Sequence, residues 1–223
     1  MKYFIGTYTN WAKEYCDKQF LENIGEIQQA AETIPPVVIV DNTDPEKHDY
    51  VEDLTGLADE YLAGKVAITQ VYRKHEDHQF HHNVVAGALS VRQHFLNSDA
   101  QYLLLVESDV IPPVDLLGRL DASISQLPED WGILGCLYYE GFHDYSKTGI
   151  HQAAHALSGC TVYRREVVEQ YPFRISEENW AAFPDAWISY DVNKDGKFKI
   201  FNDHDIRCEH LHYRGPMRQC HPL

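Results

Sequence analysis

Residues 101–113 read Gln-Tyr-Leu-Leu-Leu-Val-Glu-Ser-Asp-Val-Ile-Pro-Pro, and no other stretch restricts the fold as strongly. Tyr102 to Val106 is an unbroken apolar or aromatic run, too short for a helix and of the length of a strand buried on both faces. It stops at Glu107-Ser108-Asp109, and Pro112 and Pro113 prevent its continuation. A strand covered on both faces needs helices above and below it, which means an α/β sheet. Open sheets of that kind bind ligands beyond the carboxyl ends of their strands, where this run places two carboxylates separated by a single residue. Strand alternation, if it persists to residue 109, points Glu107 and Asp109 to the same side. Such a pair suits a hard divalent cation that itself holds phosphate oxygens.

The first half of the chain repeats this design. Tyr3 to Gly6 predicts a strand ending at Thr7-Tyr8-Thr9-Asn10, and Val37 to Val40 predicts one ending at Asp41-Asn42-Thr43-Asp44. Val66 to Val71 predicts a third strand, and 101–107 is the fourth. Between them lie a helix capped by Asn10 and running to about Ala31, a short helix near Leu57 to Leu62, and a helix from Gln79 to Phe95. Asp115 to Leu127 predicts a helix and Gly132 to Tyr138 a strand. This alternation implies a mostly parallel, Rossmann-like sheet with helices on both faces. Beyond residue 140 the rhythm changes. Gly141 to His155 reads as a long polar loop, Ala156 to Tyr163 as a strand, Arg165 to Gln170 as a short helix, and Ser176 to Pro184 as irregular. Phe198 to Phe201 and Asp205 to Cys208 read as short strands, with Asp195-Gly196 as a hairpin turn. No repeat or linker interrupts the chain, so one domain is expected over residues 1–223.

The bulk properties exclude several functions. A formal net charge of −15 opposes a sequence-independent grip on nucleic acid or an anionic membrane. Arg164-Arg165 and the segment from Arg214 to Arg218 are the candidates for a basic patch. The cysteines, at 16, 136, 160, 208 and 220, are odd in number and show no CxxC spacing, which argues against a disulfide framework or zinc ribbon. No apolar run approaches the roughly 18 residues of a transmembrane helix, and the apolar stretch at the N-terminus is too short for a secretory signal. The expectation is a soluble cytoplasmic protein with reduced thiols.

In a parallel sheet the three polar tips, Thr7-Tyr8-Thr9, Asp41 to Asp44 and Glu107-Ser108-Asp109, converge on one edge. A carboxylate at the second tip suits a ribose hydroxyl or a base N–H, and one at the fourth suits Mg²⁺ or Mn²⁺. Each cluster alone reads equally well as a turn or a helix cap. Neither GxGxxG nor GxxxxGK[ST] occurs, which removes the main support for dinucleotide and P-loop sites.

The order of these features resembles the GT-A glycosyltransferases, in particular the large inverting family numbered two. The resemblance rests on Gly6-Thr7-Tyr8-Thr9-Asn10, Val40-Asp41-Asn42-Thr43-Asp44, Asn83 in the helix before the fourth strand, and Glu107-Ser108-Asp109 in place of Asp-x-Asp. Downstream it continues through Pro184-Asp185, Gly196-Lys197-Phe198 and His210. It spans nearly the whole chain; each motif is degenerate, and their order carries the specificity. Glu107 departs from the family's first Asp, Asp185 follows a proline where an acidic residue is usual, and the chain has the shorter length of a viral or phage-type member.

The resemblance implies a nucleotide-binding half over 1–110 and an acceptor and catalytic half over 111–223. It implies a UDP- or GDP-sugar donor, bound through Thr7, Tyr8, Asp41, Arg73, Asn83, Glu107 and Ser108. Asp109 and His210 are the implied ligands of Mn²⁺ or Mg²⁺, with His212 a rival to His210. Asp185 is the implied general base, with Glu177 and Glu178 next in line, and His151 and His155 are candidate acceptor contacts. The acceptor hydroxyl belongs to a glycan, a protein, a lipid-linked sugar or a modified base.

Other readings compete. A nucleotidyltransferase also uses paired carboxylates, but usually with a basic glycine-rich loop that this chain lacks. Residues 191–202 approach a calcium loop, which would make a non-enzymatic calcium- or sugar-binding module, although Asn202 stands where the bidentate Glu belongs. His78 and His82 have helical i, i+4 spacing compatible with zinc, but without an HExxH motif or a nearby Cys the segment reads better as a solvated helix start near the nucleotide, with Arg73 or Lys74 placed to meet a phosphate.

Overall fold

The first strand runs beyond Gly6 to Thr9, which places Thr7 inside the sheet and not at its tip. The computed structural model describes residues 1–46, 48–138, 146–156, 159–176 and 183–211. His212, Glu177, Glu178, Cys220 and the arginines at 214 and 218 lie outside the described residues. In chain order the strands are β1 (Tyr3–Thr9), β2 (Val37–Asp41), β3 (Val66–Gln70), β4 (Tyr102–Val106), β5 (Val110–Ile111), β6 (Trp131–Leu137), β7 (Ile150–Ala153), β8 (Cys160–Arg164), β9 (Lys199–Arg207) and β10 (Glu209–His210). The helices are α1 (Asp17–Ala30), α2 (Val51–Tyr61), α3 (Gln79–Leu96), α4 (Leu116–Ile124), α5 (Arg165–Gln170) and α6 (Pro184–Asp195).

One sheet joins both halves of the chain in the order β3-β2-β1-β4-β8-β6-β9-β7, while β5 and β10 form a separate antiparallel pair. Strands β3, β2, β1 and β4 are mutually parallel. β8 runs against both β4 and β6, and β7 against β9, so the sheet is mostly parallel with two reversed strands.

Side-chain alternation sends each strand's residues to opposite faces. Ile5, Ile39, Leu104, Val106 and Val162 pack with Phe20, Leu21, Ile24 and Ile27 of α1, Leu54 of α2 and Leu120 of α4. Phe4, Val38, Val40, Leu103, Leu105 and Tyr163 pack on the other face with Val91 and Phe95 of α3, Val167 of α5 and Ile188 of α6. Burying each such side chain contributes about 1.5–3 kcal/mol, which accounts for the helical cover on both faces. Gly6 permits the closest of these contacts, because a Cβ there would lie 2.2 Å from Cγ1 of Val91.

Several sequence expectations need correction. The helix after Asn10 begins as a 3-10 turn, Trp11–Cys16, and becomes α-helical at Asp17. The helix expected near Leu57 begins at Val51. The long loop before His155 contains β7, and the two short strands after residue 198 are one strand, β9. Gly196 is a left-handed cap ending α6, not a hairpin turn; its φ of 72° suits glycine. The calcium-loop reading falls with it. Asp191 and Asp195 lie on α6, where Asp191 pairs with Arg174 at 2.7 Å and Asp195 accepts hydrogen bonds from Gln170 and Tyr171. No described helix is long and apolar enough to cross a membrane. Cys16, Cys136, Cys160 and Cys208 are buried free thiols.

Candidate active site

β4 ends at Val106, and the chain then turns, with the Val110 N–H donating to the Glu107 carbonyl at 3.0 Å. The two carboxylates are therefore presented by a tight turn and not by continued strand alternation. The Glu107 N–H is held by the Gly159 carbonyl at 3.0 Å. Directly after the turn, β5 pairs with β10 so that Val110 opposes His210, and the Leu211 N–H donates to the Asp109 carbonyl at 2.7 Å. This register carries His210 across a century of sequence to within 3.6 Å of Asp109, Nε2 to Oδ2.

Asp109 is 8% exposed. Its Oδ1 forms an ion pair with the Lys13 ammonium at 2.9 Å. Burial pushes the Asp109 carboxyl upward; His210 and Lys13 outweigh that and hold it at about 2. Tyr138, just past β6, marks where the site gathers. Its hydroxyl is raised above the ordinary phenol value, first by burial and then by the Glu107, Asp185 and Asp109 carboxylates. Its ring stands edge-on to His210 with centroids 5.7 Å apart. Gly159 makes room for that ring, since a Cβ there would lie 2.4 Å from Cζ of Tyr138.

Asp185 sits in the first turn of α6, immediately after Pro184, in the position that Pro at N1 and the helix dipole both favour for an acid. Its Oδ2 accepts from Nε2 of His155 at 3.1 Å. The His155 carbonyl in turn accepts from Asn202 at 3.2 Å.

The other expected residues are spread over β1, the turns after β2 and β4, the β3–α3 connection and α3. Asp41 is fully buried, its Oδ1 accepting from the Thr43 N–H at 2.7 Å and its Oδ2 from Gln70 at 3.1 Å. It builds the turn after β2 and presents no surface to a ligand in this conformation. Thr7 and Ser108 are buried too, with hydroxyls that make no hydrogen bond. Tyr8 packs beside Gly87 of α3. Asn83 accepts from the Arg73 N–H at 2.9 Å and so secures the connection between β3 and α3. Trp11, whose N–H donates to Thr43 Oγ1 at 2.8 Å, stacks on His48 with centroids 3.6 Å apart.

Structure thus unites Glu107, Asp109, Asp185 and His210 around Tyr138, and places Thr7 and Tyr8 on β1, Asp41 at the end of β2, Arg73 after β3 and Asn83 on α3. Sequence reasoning passed over Lys13, Tyr138 and the Trp11–His48 stack. Lys13 carried a usable signal, being a basic residue just past a polar strand tip. His151 lies on β7, with Nε2 2.8 Å from the Thr148 carbonyl and its ring edge-on to that of His204. His78 stands at the start of α3, in a left-handed conformation at its N-cap, and lies against His81, while His82 stacks on His75.

Among the described residues, no group of three or more His, Cys, Asp or Glu side chains is arranged to hold a metal. Asp109 and His210 offer one carboxylate and one imidazole, 3.6 Å apart. That donor set fits a divalent cation whose remaining ligands are phosphate oxygens and water. A cavity of about 230 Å³ between α4 and β9, lined by residues such as Arg119, Ser123 and Asp205, includes none of this cluster.

No protein-family model matches the sequence, and no curated protein matches it significantly. Solved structures do share the fold. S. aureus TarS 1–349 in complex with UDP-GlcNAc superposes with a TM-score of 0.65 at 15% identity, covering 100% of this chain and 62% of that one. The mannosyltransferase PcManGT from Pyrobaculum calidifontis, in complex with GDP-Man and Mn²⁺, gives 0.63 at 15% identity, covering 96% and 58%. Glucosyl-3-phosphoglycerate synthase from Mycobacterium tuberculosis gives 0.57 at 11% identity, covering 98% and 74%. The chain spans about three fifths of the TarS and PcManGT structures. These neighbours are GT-A-type glycosyltransferases, and their fold is the fold of this chain.

Proposed function

We propose that this protein is a metal-dependent, inverting glycosyltransferase that moves a sugar from a UDP- or GDP-sugar to an acceptor hydroxyl. The observation that carries this reading is the β5–β10 pairing, which joins His210 to Asp109 at the carboxyl edge of a GT-A sheet. Neighbours of the same fold bind UDP-GlcNAc and GDP-Man.

Asp109 and His210 would hold Mn²⁺ or Mg²⁺, which when bound neutralises the leaving diphosphate. The nucleoside lies along the β1–β3 tips, where Tyr8 and the Trp11–His48 stack offer aromatic faces, while Asp41 and Asn83 keep the turns in shape. Arg73 faces the phosphates, and Glu107 and Ser108 line the turn beside them. Asp185 takes the proton from the acceptor hydroxyl at a carboxylate oxygen. The acceptor oxygen then bonds to the anomeric carbon as the bond to diphosphate breaks on the opposite face, so the anomeric configuration inverts. His155 holds the other side of the Asp185 carboxylate and fixes its orientation. The acceptor is a hydroxyl of a glycan, a protein, a lipid-linked sugar or a modified base.

Calorimetry with UDP and GDP, with and without Mn²⁺, tests the reading. One nucleotide should bind more tightly with the metal, and Asp109→Ala should abolish that enhancement and the metal-dependent hydrolysis of donor. Full retention in Asp109→Ala would remove the metal role. Asp185→Asn should keep nucleotide affinity while lowering transfer by about 10²–10⁴-fold. Undiminished transfer would require another base.

A further inference from the structure

Lys13 is held in an unusual place for a lysine. The 3-10 turn that carries it is fixed by Asn10, whose side chain accepts the Ala12 N–H at 2.9 Å and whose carbonyl accepts the Lys13 N–H at 2.8 Å. From there the Lys13 stem reaches inward, its side chain only 28% exposed, and brings the ammonium 2.9 Å from Asp109 Oδ1. Burial favours the neutral amine, but the Glu107 and Asp109 carboxylates outweigh it and keep the ammonium charged. The ammonium thus serves as a tethered counter-ion for both acids of the turn. With Asp109 it forms a close ion pair, ammonium to carboxylate oxygen. A lysine stem is flexible and its head is a compact point charge, suited to exchange one anion for another. A divalent cation on Asp109 Oδ1 and an ammonium at the same oxygen repel each other, and a diphosphate is the anion that would receive the displaced lysine.

Resting on the glycosyltransferase reading, we propose that Lys13 and the divalent cation compete for Asp109, and that Lys13 transfers to the donor diphosphate when the cation enters. Metal and nucleotide then bind as a coupled pair, and neither occupies the site tightly alone.

The test measures Mn²⁺ binding by electron paramagnetic resonance and UDP and GDP binding by calorimetry, in the wild type, Lys13→Met and Lys13→Arg. Lys13→Met keeps the stem's bulk and removes its charge; Lys13→Arg keeps the charge. Mn²⁺ alone should bind Lys13→Met about tenfold more tightly than the wild type, while the factor by which Mn²⁺ tightens nucleotide binding should fall about tenfold. Lys13→Arg should retain most of the coupling. Unchanged or weaker Mn²⁺ binding in a folded Lys13→Met protein overturns the competition. A wild type that binds neither nucleotide with Mn²⁺ overturns the glycosyltransferase reading, and this inference with it. A wild type that binds both, beside a Lys13→Met protein with identical constants, overturns this inference alone.

Discussion

Two buried carboxylates, Asp17 and Asp109, behave oppositely because their neighbours differ. Asp109 meets a lysine and a histidine and is held at about 2, whereas Asp17 receives only the Tyr50 hydroxyl, and burial raises it to about 6. Since its folded value lies above its unfolded value of 3.8, the native state binds more protons than the unfolded state between those two values. Stability is therefore greatest below about 3.8 as far as Asp17 is concerned, and falls as pH rises through about 6. At pH 7 the loss is about 3 kcal/mol, at about 1.36 kcal/mol per unit. Asp17→Asn, which still accepts from Tyr50, should remove this slope and be more stable than the wild type at neutral pH. Urea unfolding at about pH 4.5 and 7.5 checks it; parallel pH dependence in the two proteins would contradict the assignment. Local sequence marks Asp109 by its place after the buried strand run, but it does not reveal the charge state of either acid. Only the side chains arriving from elsewhere hold one acid charged and leave the other raised by burial.

Elements with strong local patterns were legible in advance. The runs Val37 to Val40 and Tyr102 to Val106 form β2 and β4 because β-branched and apolar residues without interruption suit strands covered on both faces. Elements whose patterns were broken were not. Periodicity does not reveal the helix after Pro184, because α6 mixes Trp187, Tyr190 and charged residues around its circumference and buries only Pro184, Ile188, Val192 and two polar residues. Helix-to-sheet contact also hides in single residues. Gly6→Ala should destabilise the protein by about 1–3 kcal/mol, because its Cβ meets Val91 of α3. Val91→Ala in the same chain should recover part of that loss, giving a coupling of about 0.5–3 kcal/mol in a double-mutant cycle. Additive effects in the cycle would show that the two positions do not share the strain.

The continuous sheet has a consequence for the molecule as a unit. β4 of the first half pairs with β8 of the second over its full length, so neither half can unfold without exposing the other's core. Thermal unfolding followed by tyrosine and tryptophan fluorescence and by far-ultraviolet circular dichroism should give one coincident transition. Two separated transitions would mean that the two halves of the chain are independent. The periodicity of apolar residues already specified an α/β sheet with polar strand tips, because period and turn chemistry are properties of neighbours in the chain. The meeting of Asp109 with His210 and Lys13, and of Asp185 with His155, depends on strand register and helix placement between segments far apart. Such pairings are selected by the packing of the whole core, so no window of sequence contains them.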